Sequence, residues 1–136
     1  MRKTWLVLVD TNFLLIPGQF GVDIIGELNR ILDVKFEIAV PNIVLDELNV
    51  IERKAKVRDL MAVRMAKMLV ERFKVIEIGK FGEKPTDVQI YEFAVKTPNV
   101  VVCTNDRLLK KKLRERGIPV VYLRQKKILE LEGMLE

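Results

Sequence analysis

Short apolar runs of strand length, separated by longer helical patterns, constrain this chain more than any other feature of its sequence. The runs are Trp5–Val9 (WLVLV), Phe36–Val40 (FEIAV), Lys74–Ile78 (KVIEI), Val100–Thr104 (VVVCT) and Ile118–Leu123 (IPVVYL). Several are almost continuously Val, Ile and Leu, whereas a strand with one wet face alternates apolar and polar residues. Helical patterns lie at 21–33, 42–54, 56–72, 87–97 and 106–116. Strands apolar on both faces, alternating with helices, predict an α/β protein: three layers, α/β/α, around a five-stranded parallel sheet. Pro41-Asn42 and Pro85-Thr86 stand where helices open, and Gly117 where one closes. A final amphipathic helix is expected from Lys126 to Leu135, with Ile128, Leu131 and Leu135 on one face, giving a helical tail over 126–136. No repeat, linker or low-complexity tract divides the 136 residues, so one domain over 1–136 is expected.

Absences narrow the chemistry. The chain has no histidine and no serine. That removes Ser-His-Asp and Cys-His machinery, His-ligated zinc and the commonest general base. The single cysteine, Cys103, lies inside an apolar run and reads as a core filler, with no disulfide or Cys-based zinc cluster to join. Catalysis would have to draw on carboxylates, Lys, Arg, Thr, Tyr, that one Cys or a bound cofactor. The net charge of +5 favours an anionic partner, RNA or DNA foremost. No apolar run approaches the ~18 residues of a membrane span, so no membrane partner is expected. The basic start and Trp5–Val9 are too short for a secretion signal and run into Asp10, which points to a cytoplasmic protein.

Four acids stand where a purely structural protein would not need them. The first strand runs straight into Asp10-Thr11-Asn12 and the fourth into Thr104-Asn105-Asp106, so both aim a carboxylate at the carboxyl edge of the sheet. In open parallel sheets, ligands bind beyond that edge. Each of these acids also suits the N-cap of a following helix. Val44, Glu47, Leu48 and Ile51 share a helix face, which places a carboxylate in an apolar stripe while Asp46 turns about 100° away. Asp87 shares a face with Ile90, Tyr91 and Ala94, and its first-turn position also suits the helix dipole. Carboxylates packed together repel and are driven to protonate unless cations neutralise them. Oxygen-only ligation suits the hard ions Mg²⁺ or Mn²⁺, which activate water and stabilise phosphodiester cleavage.

The segments VLVDTNFLL (7–15), PNIVLDEL (41–48), TDVQIYEFA (86–94) and VVCTNDRLL (101–109) are similar, in that order, to the motifs of PIN-domain metal-dependent ribonucleases. The resemblance covers nearly the whole chain. It implies a nuclease centre of Asp10, Glu47, Asp87 and Asp106 that binds one or two divalent ions, with Thr104, Asn105 and Asn12 in support. Some relatives carry a further acid where Thr86 and Leu108 stand here. One tightly held ion is therefore expected, on Asp10 and Asp106, with Glu47 and Asp87 acting through water. The segment TNDRLLKKKLRERGIPVVYL looks most like the branch associated with pre-ribosomal RNA processing, whose partners would be ribosome-assembly factors. The toxin branch, paired with an antitoxin, is the close alternative, and a catalytically weak RNA-binding scaffold is a third.

Basic residues flank these acids. Arg107 is expected nearest a substrate phosphate, with Lys111 and Arg114 beside it and Arg53 and Lys54 on the opposite rim. A solvated helix face explains such charges equally well. Trp5 and Phe36 lie in strands and offer no base stacking. Met61, Met65, Met68 and Leu69 form a stripe for the core or a subunit contact, and exposure of it would suit a homodimer. A phosphatase or receiver reading of Asp10 fails on its neighbours: Asn12 stands where a second Asp is needed, and Leu8 and Val9 where an acidic pair would precede.

Overall fold

A computed structural model describes residues 3–135; Met1, Arg2 and Glu136 of the expected 1–136 unit lie outside the described residues. The elements run β1 (Trp5–Val9), α1 (Thr11–Leu14), α2 (Ile16–Phe20), α3 (Ile24–Ile31), β2 (Phe36–Pro41), α4 (Asn42–Lys54) and α5 (Val57–Val70). There follow β3 (Lys74–Ile76), α6 (Thr86–Val95), β4 (Val100–Cys103), α7 (Arg107–Glu115), β5 (Val120–Arg124) and β6 (Ile128–Glu132). The sheet has six strands in the order β3-β2-β1-β4-β5-β6, all parallel except β6.

The two innermost strands are the most apolar, because helices cover them on both faces. Val7, Leu8 and Val9 of β1, and Val101, Val102 and Cys103 of β4, have no exposed surface. They pair in parallel with Val9 opposite Cys103, so both chains leave the sheet side by side. The strand order reverses at this pair, which makes it the switch point where a parallel sheet opens a crevice. Gly18 brings α2 against α5, since a Cβ there would collide with the backbone of Ala62.

The expected helical tail is a strand. Its residues Leu129-Glu130-Leu131-Glu132 alternate at period two, and Leu129 is fully buried. Pairing antiparallel with β5 covers an edge that would otherwise expose its ladder. The outer side of β6 is closed in turn by α3: Glu27 accepts the Leu129 N–H at 3.0 Å and Arg30 donates to the Leu129 carbonyl at 3.1 Å. The reversal into β6 puts Gln125 and Lys126 at φ 52° and 58°. Asn-Gly is the usual signal for such a turn, and this sequence lacks it.

Two short helices, α1 and α2, also fill the stretch between Asp10 and Gly21 that the periodicity left without structure, and α3 starts three residues after Gly21. The methionine stripe of α5 is not core. Met61 and Met68 are largely exposed, together with Val57 at its start.

Candidate active site

Asp10 follows β1 directly, and its N–H donates to the Cys103 carbonyl at 3.2 Å, extending the β1–β4 ladder by one step. That step sets Asp10 beside Thr104. One Asp10 oxygen, Oδ1, accepts the Phe13 N–H at 2.8 Å and caps α1. Asp106 does the same for α7, with Oδ1 accepting the Leu109 N–H at 3.0 Å. Both acids therefore are helix caps, and in each the cap uses Oδ1 alone.

The buried Thr104 hydroxyl links the two strand ends. It donates to the Asp10 carboxylate and accepts the Asp106 N–H at 3.1 Å. Glu47 arrives from α4 on the face predicted for it: Val44 and Leu48 are buried, and Asp46 is exposed. Its Oε2 accepts from the Thr86 hydroxyl at 3.2 Å, across to the start of α6. Asp87 stands next to Thr86 in the first turn of α6. All four acids line one cavity of about 350 Å³, together with Thr11, Asn12, Pro85, Thr86 and Ile90. Four separate segments of the chain thus supply carboxylates to one space.

The electrostatics of that space is strained in one direction. Burial raises the Asp10 carboxyl from an ordinary 3.8 to about 6, and the nearby Asp106 and Glu47 carboxylates push the same way. The hydrogen bonds from Thr104 and Phe13 oppose the rise without cancelling it. Among the described residues, no lysine or arginine forms an ion pair with any of the four.

The donor set suits a hard divalent ion: oxygen only, negative, uncompensated, and lining a single cavity. Thr11 adds a buried hydroxyl that has no hydrogen-bond partner, a group that ordered water in an ion's hydration shell would satisfy. Among the described residues, however, no three carboxylates are gathered closely enough to ligate one ion directly. Water would have to complete the coordination, as Mg²⁺ commonly requires.

The supporting and RNA-binding residues divide. Asn12 is exposed and lines the cavity. Asn105 does not line it; its Oδ1 accepts the Leu123 N–H at 2.7 Å and ties the β4–α7 turn to β5. Arg107 and Lys111 are exposed on α7, and Arg53 and Lys54 are exposed at the end of α4. Arg114 is committed elsewhere, because it donates to the Ile118 carbonyl at 3.1 Å and pairs with Glu132 at 3.4 Å. The sequence showed Arg114 on the solvent side of Leu113 but gave no sign of the β6 glutamate that would meet it. Thr86, treated as an absent acid, proves to be the hydrogen-bond partner of Glu47.

Comparison with known proteins places the chain in a family. A family model described as "PIN like domain" matches residues 7–126. The chain belongs to the PIN-domain ribonuclease family. Ribonuclease VapC4 of Methanocaldococcus jannaschii is 36% identical over 134 residues, covering 95% of this chain and 98% of the relative. Ribonuclease VapC9 of Archaeoglobus fulgidus is 33% identical over 131 residues, covering 96% and 92%. Among solved structures, the PIN domain endonuclease Utp24 superimposes with a TM-score of 0.74 at 27% identity, over 96% of this chain and 93% of that one. A domain of a functionally unknown protein from M. jannaschii shares the fold, with a TM-score of 0.63 at 21% identity. PIN-domain ribonucleases generally work with divalent metal ions.

Proposed function

We propose that this protein is an endoribonuclease that hydrolyses RNA phosphodiester bonds with Mg²⁺ or Mn²⁺ at the carboxylate cavity. The observation that carries the reading is the meeting of Asp10, Glu47, Asp87 and Asp106 in one cavity without any cation paired to them. The ribonuclease relatives support it.

Asp10 and Asp106 are the proposed direct ligands, each through the oxygen not used in capping. Glu47 and Asp87 act through water on the far wall. A divalent ion bound there supplies an activated water and charge neutralisation at the phosphate. Thr104 holds Asp10 and Asp106 in register, and Thr86 fixes the rotamer of Glu47. The Asp87 carboxylate, which has no hydrogen-bond or ion-pair partner among the described residues, is available to orient water. In-line attack by water leaves 5′-phosphate and 3′-hydroxyl ends, and a 2′,3′-cyclic phosphate product would exclude this route.

The test is cleavage of unstructured and stem-loop RNA with Mn²⁺. Asp10→Asn is expected to lower the single-turnover rate by roughly 1,000-fold while RNA binding persists. Intact RNA after prolonged incubation with wild-type protein would favour a binding scaffold instead.

Two cellular roles fit. Processing of ribosomal RNA precursors, alongside assembly factors in the cytoplasm, accords with the segment TNDRLLKKKLRERGIPVVYL, and the likeness to the endonuclease Utp24 supports cleavage within a strand. A toxin role, restrained by an antitoxin, accords with the two VapC relatives. Growth arrest on expression, relieved by a co-expressed neighbouring gene, distinguishes the second from the first. The exposed apolar face of Val57, Met61 and Met68 on α5 is the proposed homodimer contact, and sedimentation of a Met61→Glu variant checks it.

A further inference from the structure

Phe81 is an aromatic side chain that the nuclease chemistry does not use. It is 42% exposed in the loop between β3 and α6. Exposing a phenyl ring to water is unfavourable, so a loop free to move would fold it inward.

This loop is pinned. The Asn42 side chain accepts the Ile78 N–H at 2.9 Å and donates to the Gly79 carbonyl at 2.7 Å. The buried Gln89 side chain donates to the carbonyls of Lys80 and Lys84, both at 2.9 Å. A Cβ at Gly79 would collide with the Gln89 amide oxygen, so a side chain there would push Gln89 out of its present hold on the loop. Two amides from two helices thus grip the loop on either side of Phe81. Continuing from Phe81, the same loop leads into Pro85, Thr86 and Asp87 on the acid cavity wall.

The ring also stands at a junction of charged space. A groove of about 800 Å³ runs from the acid cavity, sharing Asn12 and Glu47 with it; Lys54, Lys56 and Phe81 line it with an apolar wall, and its Arg58 is paired with Asp59. On its other side Phe81 borders a recess of about 480 Å³ lined by Arg53 together with Asp46 and Glu52, the latter paired with Lys67. Among the described residues, Arg53, Lys54 and Lys56 form no ion pair. Unpaired cations at intervals, with a fixed aromatic between them, match the two requirements of a single strand: phosphates to neutralise and a base face to cover.

We propose that Phe81 is a stacking platform for one unpaired base of the RNA strand, with Lys54, Lys56 and Arg53 holding the flanking phosphates. The proposal rests on the ribonuclease reading of the adjoining cavity. It makes the enzyme selective for single-stranded or looped RNA beside the cleavage point, because a base paired within a duplex cannot offer its face to a side chain.

The experiment measures binding of an unstructured oligoribonucleotide, and of a duplex of equal length, to full-length Asp10→Asn protein with and without Phe81→Ala. The single strand is expected to bind roughly 10-fold more weakly to the alanine variant, with duplex binding unchanged. Phe81→Trp restores the affinity and quenches a 2-aminopurine base placed in the strand. Equal affinity of the single strand for both proteins overturns the platform, as does an equal loss for single strand and duplex, or no binding of either RNA. Wild-type cleavage is assayed separately: RNA left uncut refutes the nuclease reading, whereas the stacking arms decide the platform by themselves.

Discussion

Asp10 and Glu27 are both carboxylates that accept a backbone N–H, yet they are displaced in opposite directions. Asp10 accepts from Phe13 and is pushed up to about 6, first by burial and then by the acids around it. Glu27 accepts from Leu129 and is pulled down to about 2, first by its hydrogen bond from Arg30. The surroundings of the two repeat the contrast on a larger scale. On the β6 side every glutamate in the sheet's outer layer has a partner: Glu132 meets Lys110 and Arg114, and Glu130 meets Arg124 and the Tyr122 hydroxyl. At the carboxyl edge of β1 and β4, four acids gather without a cation. Compensated charge fastens an element in place. Uncompensated charge, held against its own repulsion by a folded core, is a site awaiting a ligand of opposite sign.

Activity breaks the comparison most sharply. Asp106→Asn is expected to reduce Mn²⁺-dependent RNA cleavage by roughly 1,000-fold, while Glu132→Gln leaves the rate within about 2-fold and weakens only the hold on β6. Comparable losses for the two variants, measured in single turnover, would erase the distinction between a site and a fastening.

Stability against pH is the next test, because the two carboxylates must give opposite slopes. Asp10 keeps its proton in the folded chain to about pH 6, whereas the unfolded chain releases it near 3.8. Stability therefore falls as pH rises through that window and is level above it. Asp10→Asn should stabilise the ion-free protein by about 2 kcal/mol at pH 7.5 and by almost nothing at pH 3. Glu27 is the reverse: its contribution is present above the ordinary 4.5 and disappears as pH falls towards 2. Glu27→Gln should cost about 1 kcal/mol at pH 7 and little at pH 2. Urea unfolding across the pH range gives both slopes, and slopes of the same sign would refute the assignment.

The smallest effect concerns the cations. Lys54, which is unpaired, should contribute about one counterion to RNA binding, so Lys54→Ala lowers the slope of log affinity against log salt by about 1. Arg114→Ala, which removes a cation already paired with Glu132, should leave that slope unchanged and reduce thermal stability instead. A salt titration of binding separates the two.

Much of this was legible beforehand for a physical reason: the strongest signals were local. The β1 and β4 runs ending in Asp10 and Thr104-Asn105-Asp106 state both a buried strand and what leaves it. The spacing of Val44, Glu47 and Leu48 states which face of α4 carries the acid. The last segment misled because helix and strand patterns overlap in so short a stretch, and its turn relies on positive φ at Gln125 and Lys126, which neither residue type announces. Phe81 was illegible for a related reason. Nothing in its neighbours along the chain shows that Asn42 and Gln89, one before it and one after, hold its loop open.

Composition, apolar periodicity and the residues at strand ends determined the α/β class, the parallel core, the identity of the acids and the exclusion of histidine or serine chemistry. They suffice because each depends on a residue and its near neighbours in the chain. Only the tertiary structure decided that the four acids share a cavity, that Arg114 pairs with Glu132 of β6, and that Ile128–Glu132 closes the sheet as a strand. Those outcomes depend on which distant segments become adjacent. Adjacency follows from packing of the whole core, where burial and Coulomb interactions act through space and take no account of sequence separation.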